Sequence, residues 1–160
     1  MTNDEPVTMH DAHLSIKQQL GPDFVMATHI TEDRIRACAT LVQNAQDAFF
    51  SDALPNLEAL EKLAVTAEGE PLDTDALQMN IYGIRSLAKV LGFALIAEIC
   101  VYLILALHSV DYTEEKKKLL VAKLAEALRL AFDQRIRGDG EAAGKALLEN
   151  LRENLVRDHG

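Results

Sequence analysis

The run Val90–Leu107 constrains this chain most. It is 18 residues long, almost wholly apolar, and interrupted only by Gly92 and Glu98. A helix apolar nearly all round must be covered on all sides, by lipid or by protein. Glu98 would sit near the centre of a bilayer at a cost of roughly 2.5–3.5 kcal/mol. Gly92 reads as a helix break near the start of the run. The segment is therefore expected to be a core helix, Phe93–His108, and not a membrane span. Its cover is expected from the N-terminal segment, from a C-terminal helix or from a second copy of the chain, with intrachain cover favoured.

The rest of the sequence supports helical packing around it. The 160 residues suffice for one domain. Apolar residues make up 49% and charged residues 26%, a folded balance and not a disordered one. No alternating run suggests a sheet, and no repeat at a solenoid period is evident. The first thirty residues are the least regular: a short helix over Met9–Leu20 ends at Gly21-Pro22, and Phe24–Ile30 is extended or irregular. Residues 1–30 are expected to be an arm and residues 31–160 the helical bundle.

From Asp33 to Phe50 the residues Ile35, Cys38, Leu41, Val42, Ala45 and Phe49 recur at three- and four-residue steps. Leu54, Leu57, Leu60 and Leu63 continue the row past Pro55, leaving open whether Asp33–Val65 is one kinked helix or two. Glu68-Gly-Glu-Pro71 is a loop. Asp73 or Thr74 caps a helix to Leu91, and Gly92 ends it. The sequence Asp111-Tyr-Thr-Glu114 approximates a capping box with an acid in place of Ser or Thr. Thr113–Arg137 is expected to be helical, Gly138-Asp-Gly140 to break the chain, and Glu141–Asp158 to form a last amphipathic helix. Glu114 and Lys118 are expected to pair across one turn. The fold class is all-α: an antiparallel up-down helical bundle with additional N- and C-terminal helices.

Charge and cysteines narrow the function. Sixteen basic and 25 acidic residues give a net charge of −9, unsuited to nucleic acid or an anionic membrane. Cys38 and Cys100 have no metal-ligand spacing, so a disulfide framework and a thiolate zinc site are unsupported; both are expected to be small core residues of a cytoplasmic protein. His10 and His13 lie one helical turn apart without an evident third ligand, so no metal site is expected. His108 falls near a helix C-terminus, where a cation is favoured. The first residues carry no secretory signal pattern.

The helix ending at Leu91 separates two faces. At about 100° per residue, Leu77, Ile81, Ile84, Ala88 and Leu91 fall together as the core face. Gln78, Tyr82, Arg85 and Lys89 follow the same steps on another face, with Ser86 beside them. A polar row opposite an apolar one is what any solvent-facing helix carries. This row differs in being basic toward its C-terminal end and in holding one phenol.

The run Ile81-Tyr82-Gly83-Ile84-Arg85-Ser86-Leu87-Ala88-Lys89-Val90-Leu91-Gly92 resembles the central helix of a histidine phosphotransfer (HPt) domain. The family pattern is approximately A-H-x-L-K-G-x-A-x-x-L-G, followed by a helix rich in Leu, Ala and Glu, which Phe93–Leu107 matches. Phe49-Phe50 with Leu54–Leu63 is similar to the family's first bundle helix. The resemblance runs from about residue 45 to 136 and implies an HPt-like four-helix core. It also implies roles. The phosphate-accepting histidine falls on Tyr82, the small glycine that lets a receiver domain approach falls on Ser86, and the basic residue is kept in kind as Arg85.

The departure at Tyr82 decides the expected chemistry. Phosphorelay needs an imidazole nitrogen that is nucleophilic near neutral pH and forms a labile phosphoramidate; a phenol holds its proton there and forms a stable ester. The resemblance thus implies a pseudo-HPt protein in two-component signalling. It is not an enzyme and has no cofactor. It docks through Gln78, Tyr82, Arg85, Ser86 and Lys89 on a receiver domain or a histidine kinase, as a monomer or homodimer. Two alternatives stand beside this. Asp75 and Gln78, an acid and an amide three residues apart, resemble the pair with which aspartyl-phosphate phosphatases orient water. A structural dimerising bundle with no part in phosphorelay is the other.

Overall fold

The computed structural model describes residues 31–157, with the side chains of residues 154–157 left aside. The expected helix Met9–Leu20 lies outside the described residues. By density of contacts the chain divides into two units, Met1–Ala39 and Thr40–Gly160. The described part of the first is the opening of a helix; the second holds all the packing discussed below.

Among the described residues there are five helices and no strand: α1 Glu32–Ala64, α2 Thr74–Leu91, α3 Ala94–His108, α4 Glu114–Asp133 and α5 Glu141–Arg157. Successive neighbours pack, α2 on α3 and α3 on α4, and α5 also lies against α3. This is consistent with an up-down bundle.

α1 is one helix, 33 residues long, with Pro55 inside it. A proline in a helix interior removes one backbone hydrogen bond and crowds the preceding turn. The burial of Phe49, Phe50, Ala53, Leu57 and Leu60 on either side of Pro55 offsets that cost. The apolar row expected to run the whole length of α1 is buried only from Phe49 onward. Ile35 is 56% exposed, and Leu41 and Val42 are also exposed. Cys38 is exposed and not the core residue expected from its type. Periodicity marks a stripe but does not supply the helix that covers it.

Cap chemistry fixes the ends of α2. Asp73 is the N-cap, its Oδ1 accepting from the Ala76 N–H at 3.0 Å. At the other end Gly92 takes φ 82°, and the Phe93 N–H bonds back to the Ala88 carbonyl at 2.8 Å, the left-handed closure that glycine makes cheap. Gln46 Nε2 of α1 donates to the freed Leu91 carbonyl at 2.8 Å. α4 corrects two expectations. Its N-cap is Thr113, whose hydroxyl accepts from the Lys116 N–H, and not Asp111. It ends at Asp133 instead of Arg137, because Arg135 turns to φ 49°. Glu114 pairs with Lys117 at 3.8 Å and not with Lys118, which reaches the Ala67 carbonyl instead.

One apolar core joins the helices. Phe49 and Phe93 stack with centroids 4.4 Å apart; Phe50 packs edge-on against both, and Phe132 packs edge-on against Phe50 and tilted against Phe49. Leu95, Ile96, Ile99, Cys100 and Leu103 of α3 are fully buried. α5 supplies part of the cover expected for α3, with Leu147, Leu148 and Leu151 against the core, while Leu105 stays exposed. α3 has no side-chain cap at its start; there the Leu95 N–H donates to the backbone carbonyl of Gly138 at 2.8 Å. Glu61 on α1 and Arg129 on α4 form a half-buried two-pronged pair, Arg129 Nε to Glu61 Oε1 at 2.7 Å and a second contact from Nη2 to Oε2. The hydrogen bonds it donates to Glu61 push the Arg129 guanidinium further toward its charged form. Among the described residues, no helix is long and apolar enough to cross a membrane.

Candidate functional site

The core face of α2 is as its periodicity dictates: Leu77, Ile81, Ile84 and Ala88 are fully buried. That burial fixes the rotation of the helix, and with it the outward direction of every other residue. Tyr82 is 41% exposed. Ser86 and Lys89 are exposed, and Gln78 and Arg85 are half-buried. At about 100° per residue Gln78, Tyr82, Arg85 and Lys89 share one flank of the outer surface.

Two apolar residues on the crest of α2 were not singled out from the sequence. Met79 is 75% and Val90 83% exposed, on either side of Ser86 along the helix. Their exposure was not legible because single apolar residues are frequent on solvent-facing helices. The result is a polar lane with an apolar border.

The lane meets α3 on one side. Gln78 Oε1 lies 2.8 Å from His108 Nε2, within hydrogen-bonding distance. His108 is the last residue of α3, as expected, but its ring is spent on a specific partner across the helix pair. The charge of Arg85 is felt at Cys100 of α3. Burial pushes that thiol up to about 12, and the Arg85 charge only partly opposes it. On the opposite flank Gly83 faces α1: a Cβ there would come within 2.9 Å of Asn56 Nδ2. Gly83 thus permits α1 and α2 to approach.

Electrostatically the lane is an exception on an acidic chain. No Asp or Glu occurs from Ala76 to Ala97. Among the described residues, Tyr82, Ser86, Arg85 and Lys89 make no hydrogen bond or ion pair. Four donors therefore face outward without acceptors. Asp75, which would act with Gln78 in a phosphatase, is exposed at the first turn of α2. Among the described residues no group of three His, Cys, Asp or Glu is placed to hold a metal ion.

Elsewhere, an open groove of about 730 Å³ is lined by Glu58, Glu61, Lys62, Val65 and Arg129. Its two central charges neutralise each other in the Glu61–Arg129 pair. Glu58 and Lys62, of opposite charge, complete its polar lining.

Comparison of the chain with protein-family models, with curated proteins and with solved structures finds no match in any of the three.

Proposed function

We propose that this chain is a pseudo-HPt protein, with an HPt-like four-helix core formed by α1–α4, that docks on a receiver domain or a histidine kinase and regulates two-component signalling without phosphotransfer. The observation that carries the reading is the position of Tyr82. It occupies the family's phosphoacceptor position in the α2 pattern, and its ring is exposed on an outward lane instead of being packed among the leucines. A partly exposed tyrosine gives large contact area at little side-chain entropy cost. Arg85 and Lys89 beside it favour an acidic partner surface, such as the phosphorylation pocket of a receiver, and speed the encounter. Ser86, one turn beyond Tyr82, keeps the approach to the helix small.

Gln78, the amide of the phosphatase alternative, is held against His108 at the end of α3, and Asp75 lies at the exposed start of α2. The acidic balance of the chain supports a protein partner over nucleic acid or an anionic membrane.

The test is incubation of the purified chain with phosphorylated receiver domains and kinases encoded in the same genome. Binding without accelerated loss of phosphate, weakened by Tyr82→Ala or Arg85→Glu, supports docking. Accelerated loss of phosphate would establish the phosphatase alternative. Absence of any interaction would leave a structural bundle.

A further inference from the structure

We infer that the opening of α1 is a surface for self-association: two copies of this chain pair antiparallel along the row Ile35, Cys38, Val42 and Ala45. The inference lies outside α2 and is independent of the docking reading above.

The first observation is exposure without charge. Every residue from Glu32 to Asn44 is exposed, although all belong to one helix. A solvated helix is ordinarily supported by ion pairs one turn apart. Arg36 and Asp33 make such a pair at 4.0 Å, but from Ala37 to Gln46 there is no Asp, Glu, Lys or Arg. The stretch carries apolar surface instead, with Ile35 56%, Leu41 68% and Val42 52% exposed.

The second observation is spacing. Ile35, Cys38, Val42, Ala45 and Phe49 follow steps of three, four, three and four, the seam of a two-helix coil. Phe49 is buried in the core of its own chain. The part of the seam outside that core therefore runs from Ile35 to Ala45, about 15 Å. Branched and small residues alternate along it. Antiparallel pairing sets Ile35 opposite Ala45 and Val42 opposite Cys38 of the second copy, so each bulky side chain meets a small one.

Charge selects the second copy and its direction. At a net charge of −9, two copies repel over most of their surfaces. Along Ala37–Gln46 they have no charge to oppose. Parallel pairing would set Glu32 beside Glu32 and Arg34 beside Arg34. Antiparallel pairing brings Arg34 and Arg36 level with Gln46 and Asn44, and carries the continuation of each α1 away from the other. Asp33 then comes level with Asp47, whose charge Arg137 balances. A contact this short is small beside a standard interface, so the pairing is reversible, with a Kd of about 10–100 µM.

The experiment is sedimentation equilibrium of the full chain over roughly 5–500 µM, a range that brackets that Kd. The mass is expected to rise from 17.6 kDa toward twice that value. Val42→Glu, at an exposed position, should hold the mass at that of one chain, and mixing it with Val42→Lys should restore association. Alkylation of Cys38, fast in dilute protein, should slow as the concentration rises. Mild oxidation should give no dimer linked through Cys38, because the two thiols stand about 6 Å apart along the axis as well as across it. Thermal unfolding of each variant controls for folding. A single-chain mass at the highest concentration overturns the inference; if Cys38 is then slow to react at every dilution, the cover comes from residues 1–30. A dimer that Val42→Glu leaves intact overturns the surface, and one that oxidation locks through Cys38 overturns the direction.

Discussion

The side-chain oxygen of Gln78 and Nε2 of His108 meet at 2.8 Å across 30 residues of sequence, so the first member of the α2 lane is held by the last residue of α3. The pair is exposed, so its net worth falls at the low end for a hydrogen bond, roughly 0.5–1 kcal/mol. His108→Ala and Gln78→Ala should each lower the unfolding free energy by that amount, read as a lower urea midpoint with unchanged slope. The double variant should be less destabilised than the sum of the two.

The two thiols should react very differently. Cys38 is exposed, whereas Cys100 is fully buried and its thiol is pushed up to about 12 by that burial. Only the thiolate is an effective nucleophile. The native protein should therefore take up one equivalent of iodoacetamide quickly at neutral pH, on Cys38 by peptide mapping. The second equivalent should follow only on unfolding. Rapid modification of both would contradict the placement of Cys100.

Two glycines on helices should differ in their tolerance of the same change. A Cβ on Gly144 would lie 2.0 Å from the backbone oxygen of Asp139, which has no rotamer to escape into. Gly144→Ala should cost about 1–3 kcal/mol, through displacement of α5. A Cβ on Gly83 meets the Asn56 side-chain amide, which can rotate aside. Helix propensity favours alanine over glycine there by about 1 kcal/mol, so Gly83→Ala should fall within roughly 0.5 kcal/mol of the parent by the same measurement.

Glu61 and Arg129 should be coupled. Each is about one-third exposed, with side-chain values of 33% and 30%. Solvent screening then limits a two-pronged pair to about 1 kcal/mol. A double-mutant cycle with Glu61→Gln and Arg129→Met should return that coupling, and it should shrink in high salt. A coupling indistinguishable from zero would mean that the pair is formed but not stabilising.

Asp47 gives a pH signature. The hydrogen bond from Arg137, and then that from Gln43, hold its carboxyl below the usual carboxylate range. A carboxyl depressed in the folded state adds stability that is present above the ordinary carboxylate value and lost as the pH falls through its own lowered one. Arg137→Ala should move the Asp47 midpoint, followed by carboxyl NMR, upward toward the ordinary value. The group is exposed, so salt should do the same in part.

What the sequence made legible depended on how local the cause was. Asp73 and Gly92 mark the ends of α2 through bonds made within one turn, and both are readable from residue type. The inward row Leu77–Ile81–Ile84–Ala88 follows from helical periodicity, and so does the outward placement of Tyr82. The opening turns of α1 were not legible in the same way. Ile35, Leu41 and Val42 keep the spacing of a buried stripe, but no spacing states which element covers it. The end of α4 was missed because no glycine or proline stands at Gln134 or Arg135; the chain turns there with Arg135 at positive φ. The contact between Gln78 and His108 depends on the register of α2 against α3. That register is set by the tight turn at Gly92-Phe93, and no sequence pattern encodes it.

The backbone bond from Leu95 to Gly138 ties the beginning of one helix to a turn more than forty residues later. Leu95 is almost completely buried while that turn is in place, and the carbonyl then takes the part that water plays at an open helix start. The third helix is therefore not finished when it has been synthesised; its opening turn waits for the connector after the fourth. A protein shortened to end at Asp133 would lose more than its last helix, since the Leu95 N–H would lose its acceptor and the Leu95 side chain its cover at Gly140 and Gly144. The segment after Asp133 thus acts as a keystone for the most apolar stretch of the chain, and deletion there should loosen the side of the molecule against which α2 rests.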